Sequence, residues 1–398
     1  MKMPKAVWLL VLGMFVNVTG ASFLWPLNTI YINEHLGKSL SVAGIVLMLN
    51  SAASVVGNLV GGTLFDKIGG YKSVLTGIII TLVALIGLVI NHDWLFYVVF
   101  LTIVGFGSGV VFPSMYAMAG TVWPEGGRKS FNAIYIAQNA GVAIGAALGG
   151  VVASFSFEYI FIANAGMYVL FFLVAFFFYK QISATSIKQA SVLTEKSTVR
   201  NKANFHALMT LCVGYLLAWV TYVQWQSTIA THTRHLDISL DQYSLLWTIN
   251  GALIVLGQPI INSALKFLEK QIKVQIMIGL SIFIVSFLMV AKAETFTHFL
   301  VAMIILTIGE MLVWPAVPAI ANTLAPKGRE GFYQGIVNST ATGGRMIGPL
   351  LGGILVDTFN INVMFYVLIG FLVVSIVTTS IYDRKLKKAI RQEVVSVS

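Results

Sequence analysis

Two ionisable side chains fall where an apolar helix has no ordinary use for them. Glu310 lies about midway along the run Phe296 to Ala321, and Arg345 sits at similar depth in the next run, Phe332 to Val356. An ionised acid in the middle of a hydrocarbon layer costs about 2.5 to 3.5 kcal/mol on insertion scales. Protonation, a neighbouring cation or cavity water reduces that cost. A carboxyl whose proton occupancy depends on the compartment it meets can couple proton movement to other work. A fixed Glu310 to Arg345 pair would instead hold two helices together and never titrate, and the residues alone leave both readings open. Other chemistries lack their residues. Cys212 is the single cysteine, sits inside LMTLCVGYLLAWV and reads as a packing residue. CxxC and HExxH spacings, a GxGxxG before a helix, a Walker loop and a GxSxG elbow are all missing from the sequence. No enzyme, metal site or cofactor is therefore expected.

The elements that must position Glu310 and Arg345 follow from composition. Of 398 residues 57% are hydrophobic and only 10% charged, and the mean hydropathy is +0.86, which excludes a water-soluble globule. A hydrocarbon core of about 30 Å takes roughly 20 apolar helical residues to cross. On that measure the chain holds twelve candidate spans: Ala6 to Tyr31, Leu40 to Phe65, Val74 to Ile90, Trp94 to Ala119, Phe131 to Ala153, Tyr159 to Phe178, Phe205 to Ile229, Tyr243 to Leu265, Val274 to Val290, Phe296 to Ala321, Phe332 to Val356 and Val363 to Ile381. The net charge of +10 sits in short loops and the tail, without an aromatic-interleaved basic face, so no nucleic-acid partner is expected. Of the 25 Lys and Arg, only Lys38, Arg234 and Lys292 fall on one side and Arg345 within a span. All the others share the side of the N-terminus and the tail, so both termini are expected in the cytoplasm. The polar stretch 180–204 reads as a solvated linker. It separates an N-terminal six-helix bundle, 1–179, from a C-terminal one, 205–398, with a basic cytoplasmic tail.

The two bundles are copies. A shift of 200 positions aligns Trp25 with Trp225, His35 with His235, Asn50 with Asn250 and Gly57 with Gly257. With small slips, Phe112-Pro113 meets Trp314-Pro315 and Pro124 meets Pro326. Gly141, Gly145 and Gly149 of the fifth span meet Gly344, Gly348 and Gly352 of the eleventh. Matched Trp and His carry weight because the chain holds only 8 Trp and 6 His. Six spans separate the copies, so both enter the membrane from one side and are parallel repeats. Glycines four apart clear one helix face for close approach of a neighbour. Such a row packs helices in any function, and its smoothness could also let two halves tilt as rigid bodies.

The stretch Gly62-Thr63-Leu64-Phe65-Asp66-Lys67-Ile68-Gly69 resembles the loop signature of the major facilitator superfamily. The chain is similar in particular to the superfamily's twelve-helix drug:proton antiporter branch, whose motif GxxxGPxxGG is spelled in full by Gly344, Gly348, Pro349, Gly352 and Gly353. The fifth span carries the same row with Ala146 in place of the proline. Tyr135 to Asn139 and Leu306 to Glu310 also resemble bacterial multidrug exporters. The fourth-span arginine of that branch is missing around Leu101 to Gly107, and Ile134 stands where some relatives have an acid. The resemblance implies an all-α major facilitator fold of two six-helix bundles. It also implies a gating role for Asp66, Lys67, Gly62 and Gly69; by its place at the cytoplasmic end of the second span, Asp66 could instead cap a helix start or pair with basic loop residues.

By analogy with that fold, the first, second, fourth, fifth, seventh, eighth, tenth and eleventh helices would line a substrate cavity. They carry Trp25, Asn28, Asn50, Tyr116, Gln138, Asn139, Tyr222, Trp225, Trp247, Asn250, Trp314 and Asn338. Aromatics offer apolar area and attraction for cations, and amides orient polar groups. A carrier that alternately exposes a central site accounts for duplication, glycine rows and few buried charges together. A channel would show a pore-lining ring or filter motif, and an intramembrane enzyme a nucleophile with its base. The expected activity is proton-coupled efflux of amphipathic or cationic drug-like compounds, with a sugar, lipid or other metabolite as the alternative cargo. The expected setting is a monomer in the lipid bilayer of the cell membrane, whose partners are a small-molecule substrate and protons.

Overall fold

The computed structural model describes residues 3–24, 27–182, 199–264, 268 and 271–386. Twelve helices of at least 18 residues occur among them: α1 Lys5–Leu24, α2 Leu40–Ile68, α3 Gly70–Ile90, α4 Trp94–Val122, α5 Arg128–Phe155, α6 Phe157–Val174, α7 Val199–Tyr222, α8 Leu240–Ala264, α9 Ile272–Val290, α10 Phe296–Val313, α11 Glu330–Thr358 and α12 Ile361–Ile381. No strand occurs among the described residues. Among the described residues ten helical segments are long and apolar enough to cross a membrane, and α8 and α11 are the two long helices outside that set. The apolar side chains are disposed as lipid demands. Leu256, Ile90 and Phe155 are more than seven-tenths exposed, while Asn17, Gln224, Gln258 and Glu310 are buried.

Local chemistry sets several helix ends. Ser39, Ser156 and Asn360 each cap a following helix by accepting a backbone N–H, from Val42, Glu158 and Val363 respectively. Gly69, at φ +83°, both ends α2 and opens α3, a conformation that a side chain would strain. Three expected spans are interrupted. The first runs as α1 only to Leu24, and after residues 25–26, which are not described, becomes a short turn and a π-helix Tyr31–His35. The seventh tightens into a 3₁₀ turn, Val223–Gln226, before a short helix Thr228–His235. The tenth stops at Val313 and resumes as Ala316–Leu324, around Pro315, which offers no amide hydrogen. Pro113, its counterpart in α4, leaves that helix continuous.

The chain divides into two compact units. Unit 1 holds 1–193 and 327–342, and unit 2 holds 194–326 and 343–398. The start of α11, expected with the C-terminal bundle, thus groups with unit 1. Three contacts account for this: the Asp66 carboxylate on its first amides, Asn58 Nδ2 on Thr342 Oγ1 at 3.4 Å, and Ser339 Oγ on the Val55 carbonyl at 3.0 Å. Of the expected linker, 180–182 and 199–204 are helical and 183–198 lie outside the described residues.

Within each unit the helices pack by one scheme. Unit 1 pairs α2 with α4, α3 with α4, α1 with α6 and α3 with α6; unit 2 pairs α8 with α10, α9 with α10, α7 with α12 and α9 with α12. The glycine rows complete both sets. A Cβ at Gly145 would collide with the Thr19 carbonyl of α1, and one at Gly348 with the Val223 side chain next to α7.

Candidate functional site

Glu310 lies in the last turn of α10, 4% exposed. Both carboxyl oxygens are engaged. The Tyr222 hydroxyl at the end of α7 donates to Oε1 at 3.1 Å, and Asn250 Nδ2 of α8 donates to Oε2 at 2.8 Å. Asn250 Nδ2 also reaches Thr307 Oγ1 at 2.9 Å, and Thr307 donates to the Met303 carbonyl at 2.7 Å, which fixes the amide's orientation. Helical spacing puts Thr307 and Glu310 on one face of α10, so a single asparagine of α8 serves both. Burial penalises the ionised carboxyl, and two donors favour it. Opposed effects of this kind make a carboxyl's proton occupancy sensitive to its surroundings.

An aromatic cluster adjoins this acid through Tyr222. Trp314, one turn beyond Glu310, stacks on Trp219 with centroids 4.2 Å and planes 12° apart. Tyr222 meets Trp314 edge-on at 5.3 Å, and Tyr215 and Phe283 pack on Trp314 at 5.7 and 5.5 Å. Arg345 is exposed, with its guanidinium carbon 4.8 Å from the centre of the Trp219 ring. The charges of Glu310 and Arg345 both fall within electrostatic reach of the Tyr222 hydroxyl. Glu310 and Arg345, expected together at mid depth, thus border one aromatic cluster in unit 2.

A second constellation lies in unit 1. Asp66 accepts the Gly331 N–H on Oδ1 at 2.8 Å and the Phe332 N–H on Oδ2 at 2.9 Å. These are amides of the first turn of α11, which have no partner within the helix and carry the positive end of its dipole. Gly62, one turn before Asp66, makes the approach possible, since a Cβ there would strike the Gly331 carbonyl. Lys67 is exposed.

The sequence model described as Major Facilitator Superfamily matches residues 10–260 and again 207–394. The chain belongs to the major facilitator superfamily. As in that family generally, it is a multi-pass membrane transporter of small molecules. The facilitator is 63% identical over 387 residues to the uncharacterized MFS-type transporter YttB of Bacillus subtilis (strain 168), which covers 97% of each chain. It is 21% identical over 394 residues to the quinolone resistance protein NorA of Staphylococcus aureus (strain MRSA252), covering 98% of this chain and 100% of that one. The crystal structure of the human organic anion transporter MFSD10 superposes with a TM-score of 0.75 at 15% identity, over 95% of this facilitator and all of that chain, which shows the fold.

The other expected cavity residues of this facilitator divide into those near the acid and those engaged elsewhere. Trp247 is near it: the indole donates to the Tyr243 hydroxyl at 2.9 Å and its ring meets Tyr222 edge-on at 6.4 Å. Trp225 is fully buried against Phe299, and its carbonyl accepts from the Tyr243 hydroxyl. In unit 1, Asn28 accepts from the Tyr97 hydroxyl at 2.7 Å and Asn50 donates to the Leu101 carbonyl at 2.6 Å. Tyr116 donates to Gln138 at 3.1 Å. Asn139 and Asn338 donate to carbonyls of their own helices. Trp25 lies outside the described residues. Gly141 and Gly149 face α1, Gly344 faces Trp219 of α7, Gly352 faces Gln224, and Pro349 is exposed. Cys212 is buried and outside any disulfide. Sequence reasoning missed Trp219, Thr307 and Tyr215. Only Trp219 left a usable signal, lying one helical turn before Tyr222 in a chain with few tryptophans.

Proposed function

We propose that this facilitator is a secondary active transporter that works by alternating access. It exports amphipathic or cationic drug-like compounds in exchange for protons across the cell membrane, as a monomer with both termini in the cytoplasm. The observation that carries this reading is Glu310, buried, held at both oxygens by Tyr222 and Asn250 and bordered by the Trp219 and Trp314 stack. An acid reached from one compartment at a time exchanges a proton for cargo, and broad aromatic area suits apolar rings and cations. The 21% identity with a protein described as conferring quinolone resistance supports the same cargo class, and the concentration of Lys and Arg on one side supports the orientation. Asp66 acts as a latch in this mechanism. Two charge-assisted hydrogen bonds fasten α2 to the start of α11, and releasing them frees a helix whose second half belongs to unit 2.

The test is cargo-driven proton release from the purified protein over a panel of compounds, repeated with Glu310→Gln. Release is expected from the native protein and none from the variant, with thermal unfolding unchanged between them. Equal release from both would remove Glu310 from the mechanism.

A further inference from the structure

The Trp219 ring has two faces, and each has a neighbour. Trp314 lies parallel to it at 4.2 Å and covers one. The Arg345 guanidinium sits over the ring at 4.8 Å and, by exclusion, takes the other. The sequence builds this contact directly. Gly344 brings the α11 backbone so close to Trp219 that a Cβ would overlap its Cβ, and the next residue, Arg345, is thereby carried onto the ring. A flat, weakly hydrated guanidinium is the side chain best suited to lie on an indole. Arg345 is exposed, Trp219 half-buried and Trp314 4% exposed. A solute that approaches this ring from the exposed side meets the arginine first.

We propose that Arg345 is a tethered occupant of a cation-binding platform on Trp219, and that a lipophilic organic cation, such as a quaternary ammonium or phosphonium ion, binds by displacing its guanidinium from the ring. The inference rests on the reading of this cluster as the cargo site. One ring face in contact with one cation has no room for a second, so cargo and Arg345 exclude each other. Attraction to the face is electrostatic and strengthens as water is removed. A lipophilic cation has less hydration to lose than a guanidinium, so the exchange favours cargo. Because Arg345 and Glu310 both act on the Tyr222 hydroxyl, moving the guanidinium alters the field at the acid and links cargo arrival to the proton.

The test is equilibrium binding of tetraphenylphosphonium to the full-length protein by calorimetry, at fixed pH and without a proton gradient. The native chain is compared with Arg345→Ala, Trp219→Leu and the double variant. Arg345→Ala is expected to bind at least about threefold tighter, because the probe no longer competes for the ring. Trp219→Leu is expected to bind more weakly than the native chain, and the double variant no more tightly than Trp219→Leu. Arg345→Lys keeps the charge but stacks poorly, and should fall between native and Arg345→Ala; its thermal unfolding and elution profile guard against loss of fold. The proposal is overturned if Arg345→Ala binds no better than native or if the same gain appears without the Trp219 ring, which would make Arg345 a bulk charge. It is also overturned if no folded variant binds the probe saturably. Any of these results leaves proton release by other compounds intact, so failure of the platform is distinct from failure of the carrier.

Discussion

The two repeats share a skeleton and differ in where they keep chemistry. Asn50 and Asn250 occupy one position of the repeat, yet Asn50 spends its amide on the Leu101 carbonyl and Asn250 gives its own to Thr307 and Glu310. The register that matches Pro113 with Pro315 sets Gly105 against Thr307 and Ser108 against Glu310. In unit 1, Gly105 leaves the space that Asn50 fills, and Ser108 donates to the carbonyl of Gly105 in its own helix at 3.0 Å. Opposite Trp219 and Tyr222 stand Thr19 and Ser22, and opposite Arg345 stands Val142. Thr19 likewise bonds within its helix, to Phe15 at 2.8 Å. The acid, cation and rings of unit 2 therefore correspond, in the repeat register, to small or apolar residues of unit 1. The packing recurs in both copies, while the buried Glu310 with its two side-chain donors lies in unit 2.

The sharpest test sets Glu310 against its counterpart. Glu310→Gln should abolish cargo-driven proton flux in proteoliposomes, whereas Ser108→Ala should leave it within about twofold, since one half-buried intrahelical hydrogen bond contributes little. A large loss in Ser108→Ala would mean that both repeats take part in coupling. The glycine rows should behave more alike. Gly145→Ala and Gly348→Ala each overfill a helix contact and should cost about 1 to 3 kcal/mol of stability, read as lowered thermal transitions. Gly145→Ala should cost more, because its clash is with a backbone carbonyl and that of Gly348 is with a valine methyl. Equal tolerance of both would show that the rows are not close seams.

The smallest effect separates the two asparagines. Asn50→Ala should cost about 1 kcal/mol of stability and leave the pH profile of transport in place. Asn250→Ala takes a donor from the Glu310 carboxylate. The ionised form is then less favoured, and the pH of half-maximal transport should move upward. Identical profiles for the two variants would break the distinction drawn between the repeats.

Much of this was legible from spacing. Charge content called for a bilayer, run lengths marked the spans, and paired Trp, His and Gly rows exposed the duplication, since each signal repeats at a fixed interval. The interruption of the tenth span was partly legible at Pro315, but Pro113 stands at the same place in the repeat and α4 runs through it. Whether a proline breaks a helix depends on how the neighbours satisfy the freed carbonyl, which one segment does not reveal. That Asp66 could cap a helix start was legible from its position, but not which helix, because its partners are backbone amides of Gly331 and Phe332, which leave no mark in residue type.

The sequence by itself determined that this is a duplicated helical membrane protein and that Glu310 is costly where it stands. Both follow from one-dimensional quantities, apolar length and repeat interval. Only the tertiary structure decided what the acid meets. Tyr222 and Asn250 are 88 and 60 residues from it along the chain, and hydrogen bonds act over about 3 Å whatever the sequence distance. It also decided which amides were packing. Asn28, Asn50, Asn139 and Asn338 have the same side chain as Asn250, and the groups folded against each of them set its role.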